Sequence, residues 1–456
     1  MLGGALAALT VQAQPAAAPG SNPAPAVGAT AAAPPLLGQA LALADGVQPQ
    51  VVAWRRHIHQ HPELAYQETS TARYVAQALA GMPGIEVHTG IAETGIKAVL
   101  RGGRPGPVVA LRADMDALPV EERNDLPFKS TAKADWLGKP VGVSHVCGHD
   151  AHVAMLLGAA QVLSQLREQL AGTVVFIFQP AEEIGPGLGK SSGAMAMVRQ
   201  GVLDNPKVDV VLGQHISNQA PSGSIRYRPG AMLASVDVFR IQFKGTGGHG
   251  AAPWASNTPM LAAAETVLGL QNIVSHRLNP TIEGGQTVVT TGMLQSGNRF
   301  NVLPETAELS GTIRALSPVN QKIAQEEIRR RATGIAASYG VQADVQIDSG
   351  DGYEVLSNDR EATLSLVGAF TAAAGGADQV TQMAPSMGSE DFGAFGSTGV
   401  PVVFWMLNAS PLGDKAGPVN HSPLFQIDEA AMRVGVRALA ATTLSQLATA
   451  RAVARR

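Results

Sequence analysis

Val174-Val175-Phe176-Ile177-Phe178 is an unbroken apolar run, and Gln179-Pro180-Ala181-Glu182-Glu183 follows it directly. A short continuous run of β-branched and aromatic residues suits a strand buried on both faces, as in a mainly parallel sheet. Residues 108–111, 208–212 and 402–407 are runs of the same kind. Between the first two strands, residues 151–170 carry apolar side chains at Val153, Leu156, Leu157, Ala160, Leu163 and Leu166, which is helical spacing. Residues 51–58 and 70–80 share that spacing. Strands alternating with helices predict an α/β architecture.

A different rhythm occupies 231–348. Val236, Val238 and Ile241 alternate as in a strand, a helix is predicted over 259–276, and strands over 287–294 and 307–313. A charged helix over 320–338 precedes a last strand at 342–347. The order β-α-β-β-α-β is that of a ferredoxin-like unit. It is predicted as an insertion, because the α/β pattern resumes near Glu361. The α/β domain that would carry a catalytic site then comprises two stretches, 45–230 and 349–456.

The chain has 456 residues, 45% hydrophobic and 15% charged, so it can bury a large core without staples. Lys+Arg 33 against Asp+Glu 36 gives a net charge of -3, without the basic excess of a nucleic-acid binder. A single cysteine excludes an intrachain disulfide. No apolar run reaches the ~18 residues of a membrane span. Before Asp45 there is no charged residue. Residues 2–11 read as an apolar signal region, and Val11-Gln12-Ala13 as a small-residue cleavage site. A signal peptide over 1–13 and an Ala/Pro linker over 14–44 are expected. They imply a periplasmic or secreted protein; without cleavage it would be cytoplasmic.

The polar residues after each apolar run carry the chemistry. Arg112, Asp114 and Asp116 follow the first run, Glu182 and Glu183 the second, His215 the third, and His421 comes after the last. Ligands of open α/β sheets bind outside the carboxyl ends of the strands, so these groups converge. Cys147-Gly148-His149 stands just before a helix, and the glycine frees the backbone to aim both neighbours inward. Thiolate, imidazole and carboxylate together suit a borderline divalent cation such as Zn, Mn or Co. Any one of these residues alone reads as an inert thiol or a satisfied imidazole, and that reading is kept for His57, His59, His61, His88 and His276. For Cys147, His149, Glu183, His215 and His421 together it fails. Adjacent Glu182 and Glu183 after a fully apolar strand would be costly without a cation; one binds metal while its neighbour stays free as a general base.

The segments RADMDALP (112–119), CGHDAH (147–152), QPAEE (179–183), GTGGHGAAP (245–253), FNVLPE (300–305), GTIR (311–314), GSEDF (388–392) and HSPLF (421–425) occur in that order. Together they resemble the dinuclear metallo-amidohydrolases that include hippurate hydrolase, N-acyl-amino-acid amidohydrolases and plant auxin-conjugate hydrolases. The resemblance runs from about Trp54 to the C-terminal helix. It implies two divalent metal ions held by Cys147, His149, Glu183, His215 and His421, with Glu182 as general base and Asp116 as an orienting carboxylate. It further implies that the inserted unit is a lid and dimerisation domain. His249 would reach the partner subunit's active site, and Asn301 and Arg314 would grip the substrate carboxylate. Three segments depart from the family pattern: 130–143, 185–193, and Ile216-Ser217-Asn218 after His215. All three border the expected pocket.

The expected activity is hydrolysis of N-acyl amino acids, releasing a carboxylic acid and a free amino acid, by a homodimer or higher homo-oligomer without nucleic-acid or membrane partners. A dipeptidase or aminopeptidase on the same metals would need an acidic group for the substrate ammonium. A silent binding protein would not need both Glu182 and Glu183. A nucleophilic Cys147 would leave that carboxylate pair and His215 without a role.

Overall fold

Continuous apolar runs became central strands because both faces of the main sheet are covered. The computed structural model describes residues 35–186 and 188–453. In chain order the first strands are β1 (Ile85–Ile91), β2 (Gly95–Arg101), β3 (Arg104–Asp114), β4 (Ala171–Gln179), β5 (Val210–Ser217) and β6 (Ile225–Tyr227). Then come β7 (Ser235–Lys244), β8 (Thr287–Ser296), β9 (Thr306–Ala315) and β10 (Gln342–Asp348), followed by β11 (Val380–Gln382) and β12 (Val402–Asn408). The large sheet has the order β1-β2-β4-β3-β5-β12-β6-β11. Its four central strands β4, β3, β5 and β12 are mutually parallel, while β1 and β2 join antiparallel at one side.

One face of that sheet is covered by two long helices, α2 (His149–Gln165) and α5 (Met432–Val453), whose apolar residues share a core with it. Fifteen of the seventeen residues of α2 are buried, which explains why its sequence is apolar all round. Phe392, Phe395 and Met197 fill the other face.

The linker expected over 14–44 is corrected at its end: Pro35–Gly46 forms a helix, α1, with Ala40 and Ala44 fully buried. Alanines that read as linker filler are the strongest helix formers. With Leu36 and Leu43 they recur at helical spacing and join the main core. The expected signal peptide lies outside the described residues. Among the described residues no helix is long and apolar enough to cross a membrane.

The stretch from β7 to β10 forms a second, wholly antiparallel sheet of order β8-β9-β7-β10. Helices α3 (Pro259–His276) and α4 (Pro318–Ser338) pack on one face around Phe239, Ile241, Phe243, Leu309, Ile313 and Ile328. Side chains of β7 alternate between buried and exposed from Phe239 onward, as a one-sided sheet requires.

Candidate metal centre

Strand register sets the polar residues level with one another. Asp114 at the end of β3 pairs with Gln179 at the end of β4, and Arg112 pairs with Gly213 of β5. The β5 strand runs further than its apolar run suggested, so His215 lies within it, opposite Met406 of β12. Gly148 takes a left-handed conformation (φ +96) at the N-terminus of α2, and so turns Cys147 and His149 toward these strand ends. His421 also has positive φ (+69) and donates its backbone N–H to Val146 O at 2.7 Å. Beside it, Asn420 Nδ2 donates to Cys147 O (2.9 Å) and Ile216 O (3.2 Å), tying the late loop to the early motif.

The ligand-type atoms of Cys147, His149 and His215 lie within 4.8 Å of one another, as do those of Cys147, Glu183 and His421. Glu182 and Glu183 form a third such group with His149. The fold therefore brings together all five residues expected to bind metal, with Cys147 common to two groups and the expected base beside them.

Hydrogen bonds fix which imidazole nitrogens face the cluster. His215 Nδ1 lies 2.7 Å from Ile216 O, so that nitrogen carries the proton and Nε2, 3.3 Å from Cys147 Sγ, presents a lone pair. Burial, then neighbouring His152, keeps His215 well below the ordinary histidine pKa. His149 Nδ1 likewise meets Asp116 O at 2.8 Å, while its buried Nε2 has no hydrogen-bond partner. Burial opposes a charge on His149, yet Asp114 and Cys147 drive its pKa well above the usual value. A buried nitrogen without a partner, in surroundings that demand positive charge, fits a divalent cation. So does the mixed thiolate, imidazole and carboxylate set.

Asp116 organises the carboxylate pair. Its Oδ1 accepts the backbone N–H of Glu182 (3.1 Å) and its Oδ2 that of Glu183 (2.9 Å). The turn begins at Ala181, left-handed at φ +50. From it Glu183 Oε1 reaches His421 Nε2 at 3.0 Å, while Glu182 groups with Glu390 and Asp391. Burial, then the charges of Glu390, Glu183 and Asp391, raise the Glu182 carboxyl well above the ordinary range. Hydrogen bonds that His421 donates to Cys147 and Glu183 raise its pKa to about 11.

The three expected substrate-binding residues lie on the second sheet and its loops. His249 is exposed, pairs through its backbone with Val302, and accepts the Ala251 N–H at 3.0 Å. Asn301 O accepts from Gly250, and its buried Oδ1 has no partner. Arg314 on β9 is half-buried and donates Nη1 to Met387 O (3.0 Å) and Ser389 Oγ (2.9 Å), immediately before Glu390 and Asp391. None of the three joins the donor cluster described above.

Several site residues had no role in the sequence reading. Arg112 is buried against Asp114 (2.6 Å), Glu390 (2.8 Å) and Asp391 (2.9 Å), neutralising carboxylates behind Glu182. His152 accepts the Ile216 N–H at 2.8 Å and therefore donates Nδ1–H to Asp114 Oδ1 at 2.6 Å. Its place three residues after His149, on the same helix face, was a readable signal. Glu68 gave no signal: it stands in the polar stretch before a helix, yet is fully buried and accepts the Ala181 N–H at 2.8 Å.

Residues 110–445 match the family described as Peptidase family M20/M25/M40. The chain is 40% identical over 308 residues to the N-acyl-L-amino acid amidohydrolase of Geobacillus stearothermophilus, covering 68% of this chain and 78% of that one. It is 37% identical to thermostable carboxypeptidase 2 of Saccharolobus solfataricus, covering 86% and 94%. Among solved structures it resembles the YXEP protein of Bacillus subtilis, a dinuclear metal binding peptidase, with 33% identity, a TM-score of 0.73 and coverage of 89% and 99%. With more than two thirds of its length matched and the donor cluster in place, the chain belongs to peptidase family M20/M25/M40.

Proposed function

We propose that the protein is a metal-dependent amidohydrolase that splits N-acyl amino acids into a carboxylic acid and a free amino acid. The observation that carries this reading is the turn at Ala181, which sends Glu183 to the Cys147–His421 group and leaves Glu182 facing Glu390 and Asp391. Cys147, His149, Glu183, His215 and His421 hold two divalent cations, with Mn, Zn and Co as the candidates. Such a pair supplies activation of water and polarisation of the amide carbonyl.

Glu182 takes the proton of the attacking water on a carboxylate oxygen and returns it to the leaving nitrogen. Asp116 keeps the turn in place through the two amides it accepts. Arg314, tethered through Nη1, holds the carboxylate of the amino-acid half together with Asn301. His249 acts from the partner subunit of a homodimer, because on its own chain it stands apart from the cluster.

The amidohydrolase relative supports the N-acyl reading, and the carboxypeptidase relative supports acceptance of peptide-like acyl groups at the same centre. A panel of aromatic, indolic and aliphatic N-acyl amino acids beside free-amine dipeptides, with released amino acid as readout, tests it. Turnover confined to dipeptides would replace this reading with a dipeptidase.

A further inference from the structure

Tyr353 stands on the chain that returns from the second sheet to the first, and it touches both the first strand of the second sheet and the turn that follows β4. Its side chain is 5% exposed, in a small cluster with Ala65, Ala181, Ile184 and Val236. Its hydroxyl donates to Glu182 O and accepts the Gly185 N–H at 2.9 Å, so one oxygen spans the turn that carries Glu182 and Glu183. Its backbone carbonyl accepts the N–H of Val236, in the first strand of the second sheet, at 3.2 Å. The preceding Gly352 has φ +111, and a Cβ there would stand 2.0 Å from Ser192 Oγ, so the approach of this segment requires glycine. Asp351 O accepts the Ser192 N–H at 2.8 Å, just beyond the loop that follows Glu183.

Asp116 and Glu68 hold the start of the turn, at the amides of Ala181, Glu182 and Glu183. Tyr353 closes its far end and links it to the base of the second sheet. We infer that Tyr353 is a positioning residue: its hydroxyl fixes the aim of Glu182 and couples that aim to the placement of the second sheet. Glu182 is the group that moves the proton, so this inference rests on the function proposed above.

The test is Tyr353→Phe, which keeps the buried ring and removes the bridging oxygen. Tyr66→Phe is the control, since Tyr66 lies against the same cluster but its hydroxyl donates to Ser191 O at 2.7 Å rather than to the turn. Rates are read well below the melting temperature of every variant. Tyr353→Phe is expected to lower kcat about 10–100-fold with KM within a few-fold, as misplacement of a catalytic group does. Exchange of the Gly185 amide hydrogen should accelerate, and Tyr66→Phe should do neither. A Tyr353→Phe enzyme with unchanged kcat, or one whose loss is matched by Tyr66→Phe, overturns the inference. Glu182→Gln measured alongside separates the two readings: if it stays active, the proposed base is wrong. If it is inactive while Tyr353→Phe turns over normally, only the positioning role falls.

Discussion

Glu183 Oε1 lies 3.0 Å from His421 Nε2, an approach between a strand-end turn and a loop far later in the chain. Glu182, the very next side chain, is met instead by the Asp391 amide, whose nitrogen lies 3.4 Å from Oε1. Two chemically identical neighbours thus share His149 but differ otherwise: Glu183 also groups with Cys147 and His421, and Glu182 with Glu390 and Asp391.

Glu182→Gln keeps the shape and removes the proton acceptor. It should lower kcat about 10²–10⁴-fold with metal content retained. Glu183→Gln should instead lower metal occupancy, because an amide is a poorer ligand than a carboxylate. Elemental analysis beside kinetics separates them, and the assignment reverses if Glu182→Gln empties the centre while Glu183→Gln stays loaded.

Exhaustive chelation should abolish activity, and Mn, Zn or Co should restore it. Activity that survives chelation but is lost on thiol alkylation would make Cys147 a nucleophile.

Strand β8 is an edge of the second sheet and exposes Val288 (40%), Met293 (50%) and Leu294 (47%). An unpaired apolar edge favours association with a second copy. Val288→Lys with Leu294→Lys should shift sedimentation from dimer to monomer and lower turnover, since His249 would lose its target. A wild-type monomer with full activity would refute the dimer.

Glu327 on α4 is contacted by Arg277, Arg330 and Arg331, and hydrogen bonding to Arg330 is the foremost cause of a carboxyl pKa near about 2 instead of 4.5. A depressed folded-state pKa means that its stabilisation is full above about pH 4.5 and is lost as pH falls toward 2. Two of the arginines are more than half exposed, so screening limits the effect to about 1 kcal/mol. Glu327→Gln should destabilise at neutral pH and flatten the acid side of a melting-temperature profile. An unaltered profile would show that these pairs contribute nothing measurable.

Periodicity and local chemistry alone determined much of this protein. The four central strands were legible because burial on both faces demands unbroken apolar runs; Glu183 and His215 were legible because they follow such runs closely, and Cys147 and His149 because they flank a glycine at a helix start. Helix α1 was not, since alanine serves a linker and a close-packed helix equally well. Tertiary structure alone decided how those donors are used. Adjacency in sequence does not say which neighbours Glu182 and Glu183 meet; that follows from the Ala181 turn, held by Glu68, Asp116 and Tyr353 from three distant parts of the chain. Nor does a histidine's identity reveal which nitrogen keeps its lone pair. The carbonyl of Asp116, 33 positions earlier in the chain, settles that for His149, and the carbonyl of the adjacent Ile216 settles it for His215. Hydrogen-bond direction is a property of atoms brought together in space, and sequence order does not encode it.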